Sequence, residues 1–257
     1  MSRWARFRSG AREGFGILHA EAIEEFEGDM FGGARPSGRR HLVADCRLLS
    51  PCVPTHIVAL WNNFHALAAK LGKAAPAHPL FLLKAASSLA GPGDDIRRPK
   101  NYAGKIAFEG ELAIVIGKSC ASVSATQAKS CIFGYTCIND VTASEVLNEN
   151  PDFPQWTRSK SFPTFSCVGP WIETEFDAAN ARVVTRLDGT ERQNYPLSDM
   201  IFAPHELVSR VSQDVDLRPG DIIACGTSLG VGSMKDGATV EIDIDGIGRL
   251  SNRVTAQ

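Results

Sequence analysis

Residues 107–118, AFEGELAIVIGK, combine an apolar run typical of a buried strand with two carboxylates, Glu109 and Glu111. Side chains alternate across a strand, so these two residues are predicted to point to the same side. Two like charges in a half-buried strand repel each other and lose hydration unless something positive holds them together. The stretch therefore predicts a β-structured core with a positive group beside the two carboxylates.

Strand-like runs dominate the chain from residue 105 onward, and Asp-Gly turn pairs separate several of them. Helical patterns are fewer, the clearest lying in residues 124–133 and 198–212. Before these, a strand that starts at residue 56 is expected to run into a helix that stops at Gly72. The excess of strands predicts a β-rich α+β fold, a curled or rolled β-sheet body with a few helices, rather than alternating βαβ units.

The chain is expected to divide near residue 55. Residues 1–55 contain a short amphipathic segment, the Gly/Pro/Arg-rich stretch GARPSGRR and a turn-rich end, which together predict a small N-terminal subdomain. Residues 56–257 are predicted to form the larger catalytic domain, which contains the two glutamates.

Composition indicates a soluble globular protein, since 44% of the 257 residues are apolar and 22% are charged. The formal net charge is −2 and the basic residues are dispersed, which argues against nucleic-acid binding and favours a small-molecule partner. No stretch approaches the roughly 18 consecutive apolar residues that span a membrane. The seven cysteines form no CxxC pair and are expected to be reduced, and the N-terminus lacks the pattern of a secretory signal, so a cytoplasmic location is expected.

A third carboxylate, Asp140, closes the apolar run IFGYTCIND, where the end of a strand would bring it to the mouth of a pocket. Three carboxylates from two strands, without nearby His or Cys, would form a hard oxygen site for Mg²⁺ or Mn²⁺. The alternative is that Glu109 and Glu111 lie on a solvated strand face.

Two lysines, Lys160 in WTRSKSFPTF and Lys84 in LFLLKAA, are embedded among apolar residues and could offset the excess negative charge of such a site. A lysine in this setting is costly unless it is paired, and its pKa can shift enough for proton transfer. The alternative for each is a surface lysine whose stem covers apolar surface.

Two further residues are weaker candidates. His65 lies on or just before a helix, where a histidine is more often packed or exposed than catalytic. Thr227 lies in the glycine-rich stretch GTSLGVGSMK, which lacks the spacing of a P-loop or a dinucleotide fold. That stretch is either a tight loop facing a ligand or a plain structural loop.

Several segments, in this order, resemble the fumarylacetoacetate hydrolase family: FEGELAIVIGK, GYTCINDVTASE, QWTRSKSFPTFSCVGPWI, RQNYPLSDMIF and PGDIIACGTSLGVGSMKDGATVEIDIDGIGRLSNRV. The resemblance covers about residues 57–254 and implies a mixed β-sandwich roll with flanking helices, usually a homodimer, and a Mg²⁺ or Mn²⁺ site. It also implies roles for residues of this chain: metal ligands Glu109, Glu111 and Asp140, active-site residue Lys160, substrate contact Thr227, and family positions Lys84 and His65, the latter in a lid helix.

Family members cleave, decarboxylate, isomerise or dehydrate 2-oxo acids and β-diketones, and the metal stabilises the enolate that forms. Family hydrolases use a histidine followed three residues later by a glutamate, but here Ala68 follows His65. Ser144 and Leu147 replace an arginine and a glutamine that hold the substrate carboxylate, a role that Arg158 could take over.

The first expectation is therefore a divalent-metal-dependent C–C hydrolase of an acylpyruvate or related 2-oxo acid. A decarboxylase or an isomerase resembling 2-hydroxyhepta-2,4-diene-1,7-dioate isomerase is the alternative, because neither reaction needs an attacking water. A non-catalytic homologue that only binds metal or ligand is the second alternative.

Overall fold

A computed structural model describes residues 2–256 of the chain. The strands, in chain order, are β1 Arg3–Ser9, β2 Arg12–His19, β3 Ala22–Glu27, β4 Arg35–Leu42, β5 Arg47–Leu49, β6 Ile57–Trp61, β7 Leu80–Lys84, β8 Leu89–Ala90, β9 Asp95–Arg97, β10 Ile106–Phe108, β11 Gly110–Ile116, β12 Ile132–Asp140, β13 Thr142–Ala143, β14 Ser166–Glu173, β15 Arg182–Leu187, β16 Thr190–Pro196, β17 Ile222–Ala224, β18 Gly232–Met234, β19 Thr239–Ile244 and β20 Gly248–Thr255. The α-helices are α1 His65–Lys70, α2 Ala125–Ala128, α3 Ser144–Leu147, α4 Trp156–Lys160 and α5 Pro204–Val211. The 3₁₀ turns are Val43–Asp45, Ala86–Ser88, Lys129–Cys131, Ala178–Asn180 and Leu197–Asp199.

The largest sheet has twelve strands, in the order β4-β3-β2-β1-β14-β12-β11-β17-β6-β7, with β5 paired to β1 and β8 paired to β14. The N-terminal strands form an antiparallel meander that joins the rest of the sheet where Trp4 of β1 pairs with Ile172 of β14. Strands β1 to β5 thus belong to the large sheet, and the predicted division of the chain near residue 55 stays a prediction.

Strand β11 lies in the interior of this sheet, between β12 and β17, and all seven of its residues are buried. Leu112 and Ile114 contribute to the larger hydrophobic cluster, while Ala113 and Val115 contribute to a second one. A strand covered on both faces needs a continuous apolar run, because its successive side chains enter opposite cores. The sequence LAIVI provides that run.

Two smaller sheets complete the body: β13-β10-β18, and β16-β15-β19-β20-β9. Asp188 (φ 49°) and Gly189 (φ 76°) form the turn between β15 and β16, as the Asp-Gly pattern predicts. The three sheets with few and short helices confirm the predicted β-rich α+β fold. Among residues 2–256, no helix is long and apolar enough to cross a membrane.

The predicted helices are confirmed in part. Helix α1 ends just before Gly72, whose φ of 62° suits a helix stop, and α2 begins with a capping box between Ser124 and Gln127. The single helix expected over residues 198–212 is wrong, since only Pro204–Val211 is α-helical. Proline lacks an amide N–H and favours the first helical position, so the helix begins there.

The prediction that Glu109 and Glu111 share one strand is also wrong. Strand β10 ends at Phe108 and β11 begins at Gly110, so Glu109 lies in the break, where the chain passes from the three-stranded sheet to the large one. The side-chain oxygen of Asn139 accepts the amide of Glu109 at 3.0 Å, and this side-chain bond replaces a regular strand bond at the break.

The antiparallel register nevertheless continues through this break. Ala107 pairs with Thr142 on one side of it, and Gly110 pairs with Asn139 on the other. In between, the amide of Asp140 donates to the carbonyl of Glu109 at 2.9 Å. Both members of the pair β11 and β12 therefore leave the large sheet at the same point.

Candidate active site

The three predicted carboxylates converge at this crossing between sheets. Glu109, Glu111 and Asp140 each offer an oxygen, and these oxygens lie within 4.8 Å of one another. Glu109 is opposite Asp140 in the ladder, while Glu111 is the second residue of β11. Glu111 and Asp140 are fully buried, and only the side chain of Glu109 keeps some exposure, 17%.

Two buried lysines supply positive charge to the carboxylates. Lys160, the last residue of α4, donates to Glu109 Oε1 at 2.9 Å, to Asp140 Oδ2 at 2.5 Å and to Thr142 Oγ1 at 2.8 Å. Lys84, the last residue of β7, donates to Asp140 Oδ1 and to the carbonyl of Phe165. The positive groups that the sequence required are thus two ammonium groups on opposite sides of Asp140.

The charges set the protonation of these groups. Burial raises the pKa of Asp140, but the charges of Lys160 and Lys84 outweigh it, so the pKa lies below the ordinary value. Burial lowers the pKa of Lys160, yet Asp140, Glu109 and Glu111 together hold it above the ordinary value. For Lys84 burial prevails over the attraction of Asp140, and its pKa is lowered.

Glu111 differs from the other two carboxylates because neither lysine forms a hydrogen bond with it. Its Oε2 accepts the amide of Gly226 at 2.8 Å, but its buried Oε1 has no hydrogen-bond partner among residues 2–256. Burial, followed by the charges of Asp140 and Glu109, raises its pKa well above the ordinary value. An unpartnered buried carboxylate oxygen costs free energy.

This arrangement fits a divalent cation. The donor set is entirely oxygen, which suits Mg²⁺ or Mn²⁺, and Oε1 of Glu111 is a buried oxygen that has no hydrogen-bond partner among the described residues. When all three carboxylates are ionised, the two ammonium groups leave one negative charge in excess, which a cation can offset. Glu109, Glu111 and Asp140 are the residues that would hold it.

A second group of buried polar residues surrounds the peptide of Gly110, between the two glutamates. Its amide donates to Gln193 Oε1 at 3.0 Å, and its carbonyl accepts from Thr227 at 3.1 Å and from Tyr195 at 2.5 Å. Gln193 Nε2 also donates to Thr227 Oγ1 at 2.8 Å. Burial, together with the charge of Glu111, raises the pKa of Tyr195 well above its ordinary value, so the phenol keeps its proton.

Sequence reasoning found Thr227 but missed Gln193 and Tyr195. The two residues alternate on β16 and are buried, whereas Arg192 and Asn194 beside them are exposed. This alternation in RQNYP was the available signal. The alternation does not show that these two side chains of β16 reach Gly110, the first residue of β11, and bond its amide and carbonyl.

His65 and Ala68 lie apart from this cluster. His65 is the exposed first residue of α1 and makes no hydrogen bond within the described part of the chain, while Ala68 is buried. A carboxylate from elsewhere in the chain, Asp199, lies at this helix start, where its Oδ2 accepts the amide of Ala66 at 3.0 Å. It caps the helix, because Phe64 at the N-cap has no side-chain acceptor.

Arg158 lies on α4 two residues before Lys160 but on a different side of that helix. Its side chain is half exposed and forms an ion pair with Glu149 at the surface. The structure therefore brings together Glu109, Glu111, Asp140, Lys160, Lys84 and Thr227, and leaves His65 and Arg158 at the surface.

Comparison with known proteins identifies the larger part of the chain. Residues 56–255 match the family model described as fumarylacetoacetate (FAA) hydrolase, C-terminal. The chain belongs to the fumarylacetoacetate hydrolase family. Residues 2–51 match a second model, described as Rv2993c-like, N-terminal.

Relatives within the fumarylacetoacetate hydrolase family align over most of the chain. Protein Rv2993c of Mycobacterium tuberculosis is 42% identical over 227 residues, which are 87% of this chain and 84% of that protein. Oxaloacetate tautomerase YisK of Bacillus subtilis is 34% identical over 211 residues, 77% of this chain and 69% of that protein.

Solved structures show the same fold. The crystal structure of 2-hydroxyhepta-2,4-diene-1,7-dioate isomerase from Mycobacterium marinum matches with a TM-score of 0.91 and 37% identity, over 100% of this chain and 99% of that one. Maleylpyruvate hydrolase from Sphingobium sp. SYK-6, in complex with manganese(II) ion and pyruvate, matches with a TM-score of 0.80 and 28% identity, over 99% of each chain. Fumarylacetoacetate hydrolase family relatives thus include a tautomerase, an isomerase and a hydrolase, and one of them binds a divalent metal.

Proposed function

We propose that the protein is a divalent-cation-dependent enzyme that isomerises a 2-oxo acid through its enolate, shifting a proton between carbon and oxygen. The observation that carries this proposal is the position of Lys160, whose ammonium bonds Glu109 and Asp140, two of the three carboxylates whose oxygens converge within 4.8 Å. This cluster combines a site for a cation with a proton donor beside it.

A divalent cation held by Glu109, Glu111 and Asp140 would supply Lewis acidity, which stabilises the negative charge of an enolate. Lys160 would turn one of its three N–H donors, which bond Glu109, Asp140 and Thr142 in this structure, toward the same oxygen, and its raised pKa keeps it protonated for that purpose. Lys84 fixes Asp140 from the other side. Thr227 offers a hydroxyl to the substrate carboxylate, and His65, on the exposed start of α1, is the residue proposed to transfer a proton.

C–C bond hydrolysis is the second candidate, favoured by the similarity to maleylpyruvate hydrolase. It requires a base that activates water, and His65 would have to act without a carboxylate on its own helix because Ala68 occupies that position. Proton transfer to an enolate needs no attacking water, and for this reason isomerisation is placed first.

The test is product analysis by NMR with oxaloacetate and with an acylpyruvate, each with Mg²⁺ or Mn²⁺ and with excess chelator. We expect chelator-sensitive acceleration of enol-to-keto conversion of oxaloacetate and little cleavage of the acylpyruvate. Glu111→Gln should lose this activity, whereas Glu21→Gln, at an exposed site, should keep it.

Other outcomes separate the alternatives. Chelator-sensitive cleavage of the acylpyruvate to pyruvate and a carboxylic acid would make the protein a hydrolase, and release of CO₂ from oxaloacetate would make it a decarboxylase. Binding of Mg²⁺ and oxalate without turnover of either compound would support the alternative of a non-catalytic homologue.

The proposal includes a homodimer, as the resemblance implies. Light scattering on the purified protein would test this oligomeric state.

A further inference from the structure

The amide of Gly110 fixes the orientation of the Gln193 side chain. The amide of Gly110 can only donate, so the oxygen of Gln193 faces it and the NH₂ of Gln193 faces Thr227. Thr227 Oγ1 must then accept from Gln193, and its own proton is left for the carbonyl of Gly110, at 3.1 Å, or for the hydroxyl oxygen of Tyr195. The three groups form a closed ring in which the hydroxyl of Thr227 is the last donor.

This ring forms because β17, the neighbour of β11 on the side away from β12, pairs only with Ala113 to Val115 and not with Gly110. The bond from Asp140 to Glu109 makes that pair the hydrogen-bonded one, so the amide and carbonyl of Gly110 point away from β12. On the other side β17 ends at Ala224, and Thr227 follows in the loop beyond it. Side chains therefore have to satisfy the peptide that joins the two glutamates.

A ligand carboxylate would compete for the proton of Thr227 with the acceptors already beside it. A hydroxyl has a single proton, so Thr227 cannot donate to the carbonyl of Gly110 and to a ligand carboxylate at the same time. If it turned to the ligand, a buried carbonyl would be left unpaired, which is costly. Tyr195 removes this conflict, because its hydroxyl also donates to the carbonyl of Gly110, at 2.5 Å.

We propose that Tyr195 is a positioning residue that frees the Thr227 proton for an anionic ligand by keeping the carbonyl of Gly110 bonded. This inference rests on the proposed function, in which Thr227 contacts the carboxylate of a 2-oxo acid. In this proposal Tyr195 does not contact the ligand. It acts only by changing which acceptor the hydroxyl of Thr227 donates to.

The experiment is a double-mutant cycle on the binding of oxalate, measured by calorimetry in saturating Mg²⁺. The proteins are the wild type, Tyr195→Phe, Thr227→Val and the double variant. We expect Tyr195→Phe to weaken oxalate binding about tenfold when Thr227 is present, since the hydroxyl can then leave Gly110 only at the cost of an unpaired carbonyl. With valine at position 227 there is no proton to release, and Tyr195→Phe should leave the oxalate affinity unchanged.

The chosen substitutions limit structural side effects. Phenylalanine at position 195 keeps the ring that packs edge-on against Phe64, with centroids 4.9 Å apart. Valine has nearly the shape of threonine. The affinity of each variant for Mn²⁺ without oxalate is the control, and it should match that of the wild type.

Each other outcome overturns the inference in a distinct way. Additive losses in the cycle, or an equal loss of Mn²⁺ affinity in Tyr195→Phe, would show that Tyr195 only supports the structure. Unchanged oxalate binding by Thr227→Val would show that Thr227 does not contact the ligand, while the proposed function stands. A wild type that binds Mg²⁺ but not oxalate would overturn both the inference and the proposed function.

Discussion

The Nζ atom of Lys160 lies 2.5 Å from Oδ2 of Asp140, and the two residues come from different elements, the end of α4 and the end of β12. Both side chains are almost fully buried. A buried charge is tolerated only when a partner and further hydrogen bonds compensate for lost hydration, and here Glu109 and Thr142 complete the set. This pair is the basis of the first prediction.

Lys160→Met should reduce turnover by about 100-fold or more, because the enolate oxygen loses its charged donor. The affinity for Mn²⁺ should not fall, since removing a positive charge makes the carboxylate cluster more negative. Steady-state kinetics and calorimetry measure the two quantities. Equal loss of turnover and Mn²⁺ affinity would instead indicate that the cluster had collapsed, and full activity would exclude a role for Lys160.

Glu111→Gln should change how the stability of the chelated protein depends on pH. In the unfolded protein the carboxyl of Glu111 has a pKa of about 4.3, and burial raises this pKa in the folded protein. The wild type is therefore favoured by a protonated Glu111 at low pH and loses this contribution as the pH rises through the folded pKa. Glutamine does not ionise, so the Tm of the variant relative to the wild type should increase as the pH rises from the unfolded pKa toward the raised folded pKa.

Thermal unfolding in excess chelator at several pH values measures this difference. Glu21→Gln controls for the loss of one carboxylate at an exposed site. A difference in Tm between Glu111→Gln and the wild type that stays constant across the pH range would contradict the raised pKa of Glu111.

Gly110→Ala should destabilise the protein and weaken Mn²⁺ binding. A methyl group at this position would lie 2.1 Å from Oγ1 of the buried Thr185, so the peptide between Glu109 and Glu111 would have to move. We expect a loss of about 1 to 3 kcal/mol in the free energy of unfolding, typical of overpacking. Gly32→Ala is the matched control, because a methyl group there meets nothing within 4 Å. Equal stability of the two variants would show that the site adapts.

Asp199→Ala should lower the free energy of unfolding by about 1 kcal/mol, since the start of α1 loses the acceptor for the amide of Ala66. If His65 transfers a proton during turnover, the same change should also reduce kcat by displacing the start of its helix. Denaturant unfolding and kinetics test both effects, with the exposed Asp214→Ala as control. An unchanged kcat would argue against proton transfer by His65 during turnover.

The sequence was most informative where chemistry is carried by residue type. Three carboxylates at strand ends without a nearby histidine, and two lysines within apolar runs, were sufficient to predict a cluster that the structure brings together. It was least informative where side chains replace backbone bonds. The break at Glu109 depends on Asn139 and the ring at Gly110 depends on Gln193, and both partners are distant from residues 109 and 110 in sequence.

The passage of paired chains from the large sheet into the three-stranded sheet at Glu109 and Asp140 has a mechanical consequence. A cation bound by both residues would cross-link the two chains at the point where they bend, and opening the small sheet would first require its release. Occupancy of the site should then slow hydrogen exchange of the amides in β10 and β13, even though none of them contacts the ion. The proposed active site would thus also stabilise the connection between the large sheet and the three-stranded sheet.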